Sequence, residues 1–344
     1  MAARSSVPAR ILICRTDNIG DVVLTLPLAA TLKQQLPGVK VDFLVRAYAA
    51  PVVRQCRFVD QVLSVDDYPD LQRMFADGGY DTVIFAFPQR KLAQAARRAG
   101  VARRVGTSHR LYNWIYCNRL AHFSRVNSPL HEAQLNFALL RPLGINLTPA
   151  LAEIAALYGM AAPHSAEVDA LRVLAPFNVI LHPNSNGNAR EWPLARFTEL
   201  ARKLGGQSGL CVWVTGSKAE GELLAREAPE LLSMAHVRNL CGKLDLAGLT
   251  ALIGAADGLV ANSTGPLHMG AALGRPVLGL FAPIKAMDTG RWGPLGVNAT
   301  TLSADKRCAG CSVAACTCMD AITVAEVEAV VLGWRAARKA EACS

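Results

Sequence analysis

The sequence predicts an α/β protein of two doubly wound halves, each a parallel sheet with helices on both faces. Three observations carry that expectation. Strand-length apolar runs alternate with stretches of helical spacing, the order that builds a covered parallel sheet. The alternation lapses between residues 145 and 176, where Pro149, Pro163 and Pro176 punctuate a mixed pattern, and then begins again. Finally, 344 residues with 51% hydrophobic content and 6% aromatics suit two well-buried domains of ordinary size.

In the first half, Arg10-Ile11-Leu12-Ile13-Cys14 is a buried strand, followed by a polar loop over residues 15–21 with one glycine, Gly20. Leu24, Leu28, Leu32 and Leu36 recur every four residues and give a helix one apolar stripe. Pro27 falls near its start, where a missing N–H costs least, and Pro37-Gly38 stops it. Strands are expected at residues 39–45, 59–65, 81–87 and 101–106, with helices between most of them. Residues 107–129, rich in Arg, Asn, His and Tyr without a period, read as a loop near a polar ligand. Residues 131–143 are helical, and Gly144 ends the run.

In the second half, strands are expected at 178–183, 210–215, 257–260 and 276–281, and helices at 193–204, 220–227 and 246–256. A further helix follows Pro266 and ends at Gly274, and the last spans 324–339 with cations in its final turns. The expected boundaries are a domain over 1–160, a linker over 161–176, a domain over 177–322 and a terminal helix over 323–344. Doubly wound halves bind ligands at the carboxyl ends of their strands, so a cleft between two of them suits two substrates.

Charge separates the halves. Residues 1–150 hold 19 Lys and Arg against 10 Asp and Glu, whereas residues 151–344 hold 17 of each, so the whole excess of +9 lies in the first half. A basic half implies an anionic partner: nucleic acid, an anionic membrane surface or a phosphorylated acceptor. No apolar run approaches the roughly 18–20 residues that cross a bilayer. No signal-peptide pattern opens the chain, so a cytoplasmic protein with reduced thiols is expected.

Several stretches at strand ends carry candidate chemistry. Ser263-Thr264-Gly265-Pro266 follows a strand and opens a helix; a hydroxyl cap, a permissive Gly and an early Pro mark a helix N-terminus. Its unpaired N–H groups and dipole suit a diphosphate, and His268 lies one turn inside. Asp21, after Gly20, is either a first-turn carboxylate that favours the helix or a general base. The run from His182 to Pro193 joins a strand to a helix; Ser185 and Asn186 are polar, and Arg190 offers paired N–H donors to a phosphate. The same run is also simply a loop into a helix that Pro193 begins. Glu220, in Gly216-Ser217-Lys218-Ala219-Glu220, either accepts from ribose hydroxyls or starts a helix. Neither G-x-G-x-x-G nor G-x-x-x-x-G-K-[ST] nor D-x-D occurs, so any phosphate must rely on helix N-termini and basic side chains. Cys308, Cys311, Cys316 and Cys318 form the densest thiol group; a one-residue gap between the last two is poor for a tetrahedral zinc site, and reduced structural cysteines are expected.

Together these stretches resemble glycosyltransferase family 9, the heptosyltransferases, over nearly the whole chain. The resemblance rests on Gly20-Asp21 with the Leu-Pro helix after it, Arg190-x-Trp192-Pro193, Gly216-Ser217-x-x-Glu220, Gly242-Lys243-Leu244 and Ser263-Thr264-Gly265-Pro266-Leu267-His268. It implies a GT-B fold, two Rossmann-like domains whose parallel sheets face a central cleft, acceptor bound by the first and nucleotide sugar by the second. It implies inverting, metal-independent transfer of a heptose from ADP-heptose to the lipopolysaccharide inner core, with no cofactor. Asp21 would be the base; Arg190 and the Thr264–His268 helix end, with Gly265, would hold the diphosphate; Ser185, Asn186, Glu220, Leu244 and Ser263 would complete the donor site, Glu220 at the ribose and Leu244 at the adenine. The implied partners are an acidic glycolipid and the inner face of the inner membrane, to which the protein would attach peripherally, and not nucleic acid. This chain departs from the family's usual Lys with Arg190, from its frequent Asp with Ser263, and by a shortened spacing between Cys316 and Cys318. Other readings are a transferase of another nucleotide sugar, a sugar-nucleotide epimerase, or a non-catalytic sugar-nucleotide binder.

Overall fold

A computed structural model describes residues 8–126, 128–187, 189–284, 287–305, 307 and 317–342. The chain divides into two compact units, Met1–Ala161 and Ala162–Ser344.

The first unit holds β1 (Arg10–Cys14), β2 (Lys40–Val45), β3 (Gln61–Ser64), β4 (Thr82–Phe85), β5 (Arg103–Thr107) and β6 (Arg119–Ala121). They form one sheet in the order β3-β2-β1-β4-β5-β6, every neighbouring pair parallel. The register sets Ile13 between Phe43 and Ile84. Ile11, Leu12, Ile13 and Cys14 are fully buried, which is why the central strand reads as an unbroken apolar run rather than an alternating one. Asp42 on β2 brings a carboxylate into this core; it accepts from Arg10 at 2.8 Å and from the Tyr80 hydroxyl at 3.1 Å, so its charge is paired and bonded.

The second unit holds β7 (Phe177–His182), β8 (Leu210–Val214), β9 (Val237–Asn239), β10 (Gly258–Asn262), β11 (Val277–Phe281) and β12 (Ala299–Ser303). Their order, β12-β11-β10-β7-β8-β9, repeats that of the first unit, again with parallel pairs. In each unit the winding reverses beside the first strand, between β1 and β4 and between β7 and β10. The crevice at the carboxyl ends there is where such sheets take ligands. The helix Val324–Ala342 packs on the second unit, burying Val324, Val327 and Val331 with Phe197, Leu200 and Leu204 of the helix Leu194–Gly205. Its Trp334 ring lies against Gly258, where a Cβ would collide with it.

The sequence-based expectations need several corrections. Residues 15–21 are not all loop: a short helix, Ile19–Val23, already includes Gly20 and Asp21, and a second, Pro27–Gln35, follows. The expected loop over 107–129 contains the helix Leu111–Tyr116 and β6, which are too short to show a period. Residues 145–176 contain the helices Leu151–Ala155 and Ala166–Arg172. β9 and β12, three and five residues long, did not stand out as apolar runs because they carry Arg238, Asn239, Thr300 and Thr301. Pro193 is the residue before its helix rather than the first within it. Cys308, Cys311 and Cys316 lie outside the described residues; Cys318 is buried in the turn Cys318–Ala321.

Candidate functional site

At the switch point of the first sheet stands a buried charge cluster centred on Arg15, the residue after β1. Its Nε donates to Asp17 at 2.8 Å, its Nη1 to the Ala86 carbonyl just beyond β4 at 3.3 Å, and its Nη2 to Asp21. Glu132 lies 3.7 Å from Nη1 and accepts from Arg125 at 2.9 Å. Asn136 accepts from Arg15 and Arg125 and donates to the Leu24 carbonyl, fixing the helix Glu132–Phe137 against the end of the Asp21 helix.

Three carboxylates thus share two guanidiniums, and burial adds to their cost. Burial pushes the Asp21 carboxyl up, to about 6; Arg15 opposes the rise, while Asp17 and Glu132 reinforce it. Asp17 is raised too, chiefly by burial. Asp21 keeps 15% of its side chain exposed, so a hydroxyl can reach it. It does occupy the first helical turn, but its carboxylate bonds Arg15 rather than capping the helix. A partly exposed carboxylate whose proton affinity lies near neutrality suits a general base.

In the second unit, the structure brings the Arg190 loop to the Thr264 turn through a residue that the sequence analysis did not single out. Asn262, the fully buried last residue of β10, accepts from the Trp192 backbone N–H at 2.9 Å and donates to the Pro183 carbonyl. Both ends of the 183–192 loop are therefore pinned to the strand that carries Ser263 and Thr264. Within the loop, Glu191 accepts from the Ser185 backbone N–H and hydroxyl, so Ser185 is buried and shapes the loop. Asn186 is exposed at φ +50°, a left-handed conformation that Asn tolerates, beside Gly187 at +73°. Arg190 is partly buried.

Thr264 is the residue before the eight-residue helix Gly265–Ala272, which opens with Pro266. The expected capping bond is not made: the buried Thr264 hydroxyl has no hydrogen-bond partner among the described residues. A helix start with an orphaned hydroxyl beside its N–H groups is a ready acceptor of an anion. Ser263 and Gly265 are partly exposed at this turn, and His268 is buried one turn inside, at 4% exposure.

Glu220 stands at the carboxyl end of β8, where its carboxylate accepts the Ser217 N–H at 2.7 Å and its own N–H bonds the Ser217 hydroxyl. This capping box is the helix-start role of the two expected alternatives. Its charge also acts on His182, whose pKa burial lowers and Glu220 partly restores. Leu244 is partly buried after Gly242, which has φ +68° and would place a Cβ 2.9 Å from the Lys218 backbone. The signal for Glu132 was present in the sequence: it is the lone acidic residue between Asp81 and Glu153.

Residues 70–321 match the family described as glycosyltransferase family 9 (heptosyltransferase). Lipopolysaccharide heptosyltransferase 1 of Pseudomonas aeruginosa is 28% identical over 326 residues, covering 90% of this chain and 87% of the relative. Lipopolysaccharide heptosyltransferase 1 of Salmonella typhimurium is 25% identical over 308 residues, covering 84% and 92%. The structure of E. coli ADP-heptose lps heptosyltransferase II superposes with a TM-score of 0.74 at 21% identity, covering 94% of this chain and 99% of that one. That likeness establishes the GT-B fold of paired Rossmann-like units.

Proposed function

Because the chain belongs to glycosyltransferase family 9, we propose that this enzyme transfers a heptose, or a related sugar, from an ADP-sugar to an acidic glycolipid of the lipopolysaccharide inner core. The reading has the reaction invert the anomeric centre, need no metal or cofactor, and take place in the cytoplasm at the inner face of the inner membrane. The observation that carries it is Asp21: a carboxylate raised to about 6, partly exposed, at the switch point of the first sheet. The names of the relatives supply the sugar and the acceptor class.

In the proposed mechanism Asp21 takes the proton of an acceptor hydroxyl as its oxygen bonds the anomeric carbon. The bond from that carbon to the diphosphate oxygen breaks, and the nucleoside diphosphate leaves with the electron pair. Arg190, the Thr264 hydroxyl and the N–H groups of the Gly265–Ala272 helix stabilise the charge that grows on the leaving group. His268 supports that turn from within. Glu220 uses one carboxylate oxygen in its capping box and the other for a ribose hydroxyl; Leu244 lies against the adenine. Ser185 and Asn186 shape the loop over the donor.

A second reading, transfer of a different sugar, is favoured by Ser263 standing where the family often has Asp. A thermal-unfolding panel of ADP-, GDP- and UDP-sugars separates the two. ADP-heptose at 100 times its Kd is expected to stabilise the protein by about 2.7 kcal/mol, with transfer persisting in EDTA. Stabilisation by a UDP- or GDP-sugar alone, or transfer abolished by EDTA and restored by a divalent ion, would overturn the proposal.

A further inference from the structure

The helix Leu111–Tyr116 is inside out for a helix in water. Leu111, Trp114 and Ile115, at positions i, i+3 and i+4, are 86%, 59% and 60% exposed. The fully buried position of the helix is a polar one: Asn113 donates its side-chain amide to the Thr107 carbonyl at 2.8 Å. An outward apolar stripe of this kind marks a surface that is covered in use.

Three polar groups at this stripe are already bonded within the protein. The Trp114 indole N–H donates to the Ser108 carbonyl at 2.9 Å. The Ile115 and Tyr116 carbonyls, at the helix end where no backbone donor follows, accept from Arg97 and Arg104, each at 2.7 Å. The indole and the last two carbonyls of the helix can therefore leave water with their partners in place.

Charge identifies the occupant. Residues 82–131 hold nine Lys and Arg and no Asp or Glu, so the rest of the chain is balanced at 27 of each and this segment carries the whole net charge. Arg97, which bonds the Ile115 carbonyl, and Arg110, the residue before the helix, adjoin the apolar stripe, and Arg98 and Arg119 of the same segment are exposed as well. Exposed apolar side chains including a Trp, in a segment that holds arginines and no acid, match the boundary between acyl chains and anionic headgroups. No helix among the described residues is long and apolar enough to cross a membrane. We propose that the helix Leu111–Tyr116 seats on an anionic bilayer, with Leu111, Trp114 and Ile115 at the acyl boundary and the surrounding arginines on the headgroups.

The inference deepens the reading of a membrane-borne acceptor, but it is tested without donor or acceptor. The full chain is mixed with vesicles of phosphatidylglycerol and phosphatidylethanolamine, or of phosphatidylcholine alone, and followed by cosedimentation and by quenching of tryptophan with brominated acyl chains. Binding is expected on the anionic vesicles only and to weaken as salt rises. Trp114→Phe should bind but lose the quenching, which identifies the inserted residue independently of affinity. Leu111→Ser with Ile115→Ser should weaken binding about tenfold or more, and Arg110→Gln or Arg119→Gln about fivefold each, with thermal unfolding unchanged. Equal binding to phosphatidylcholine, quenching that survives Trp114→Phe, an unaffected serine variant, or self-association through this helix in place of vesicle binding would overturn the proposal. Absent vesicle binding beside intact transfer to a soluble acceptor would sink this surface alone, whereas bound vesicles beside no transfer would sink the functional reading and leave the surface standing.

Discussion

Asp21 shows how a single side chain acquires its chemistry from neighbours. Its spacing from Gly20 was visible in the sequence, but its proton affinity depends on burial and on three residues gathered from other segments. Arg15 comes from the end of β1, Asp17 from the following turn, and Glu132 from a helix more than a hundred residues away. That is why the sequence left its role open between helix start and base. The consequence for pH has a definite sign. In the proposed mechanism transfer needs the ionised form, so kcat/KM is expected to fall with unit slope as pH drops below about 6 and to level above it. Stability moves the other way. The folded state binds the Asp21 proton more tightly than the unfolded chain, so between the ordinary carboxylate value of 3.8 and about 6 this residue makes the fold less stable as pH rises. A pH–rate profile flat down to 4.5 would remove Asp21 as the titrating base.

Among elements, the buried strands and their helices were legible because apolar runs and four-residue spacing record burial directly. Leu111–Tyr116, β6 and β9 were not, because polar or exposed residues interrupt them and their conformation follows what they pack on. The tie between the 183–192 loop and β10 was also hidden, since one Asn among many gives no pattern. Asn262 serves that tie with both ends of its carboxamide. Asn262→Ala would leave the buried Trp192 N–H and Pro183 carbonyl without their partner, at a cost of about 2–4 kcal/mol in chemical denaturation. Because the loop carries Arg190, affinity for a nucleoside diphosphate should fall in calorimetry as well. Unchanged stability and affinity would show that the loop holds itself, through Glu191 and Ser185.

For the whole molecule, two sheets of one strand order each present a candidate cluster at the same topological point, the proposed base in the first unit and the proposed anion-binding turn in the second. Alternation of strands and helices announced this architecture, and the split of net charge between the units was equally visible in the sequence. Neither disclosed that the charge is confined to one acid-free segment bearing an inside-out helix, because the outward face of that helix appears only once it is packed. The division of labour between the units makes a separable prediction: removing the base should spare donor binding. The most direct test is single-turnover transfer at saturating ADP-sugar by Asp21→Asn, with donor affinity measured by calorimetry on the same protein. The account predicts a rate loss of about 10²–10⁴-fold with donor affinity unchanged; a rate within a few-fold of the unsubstituted enzyme would contradict it.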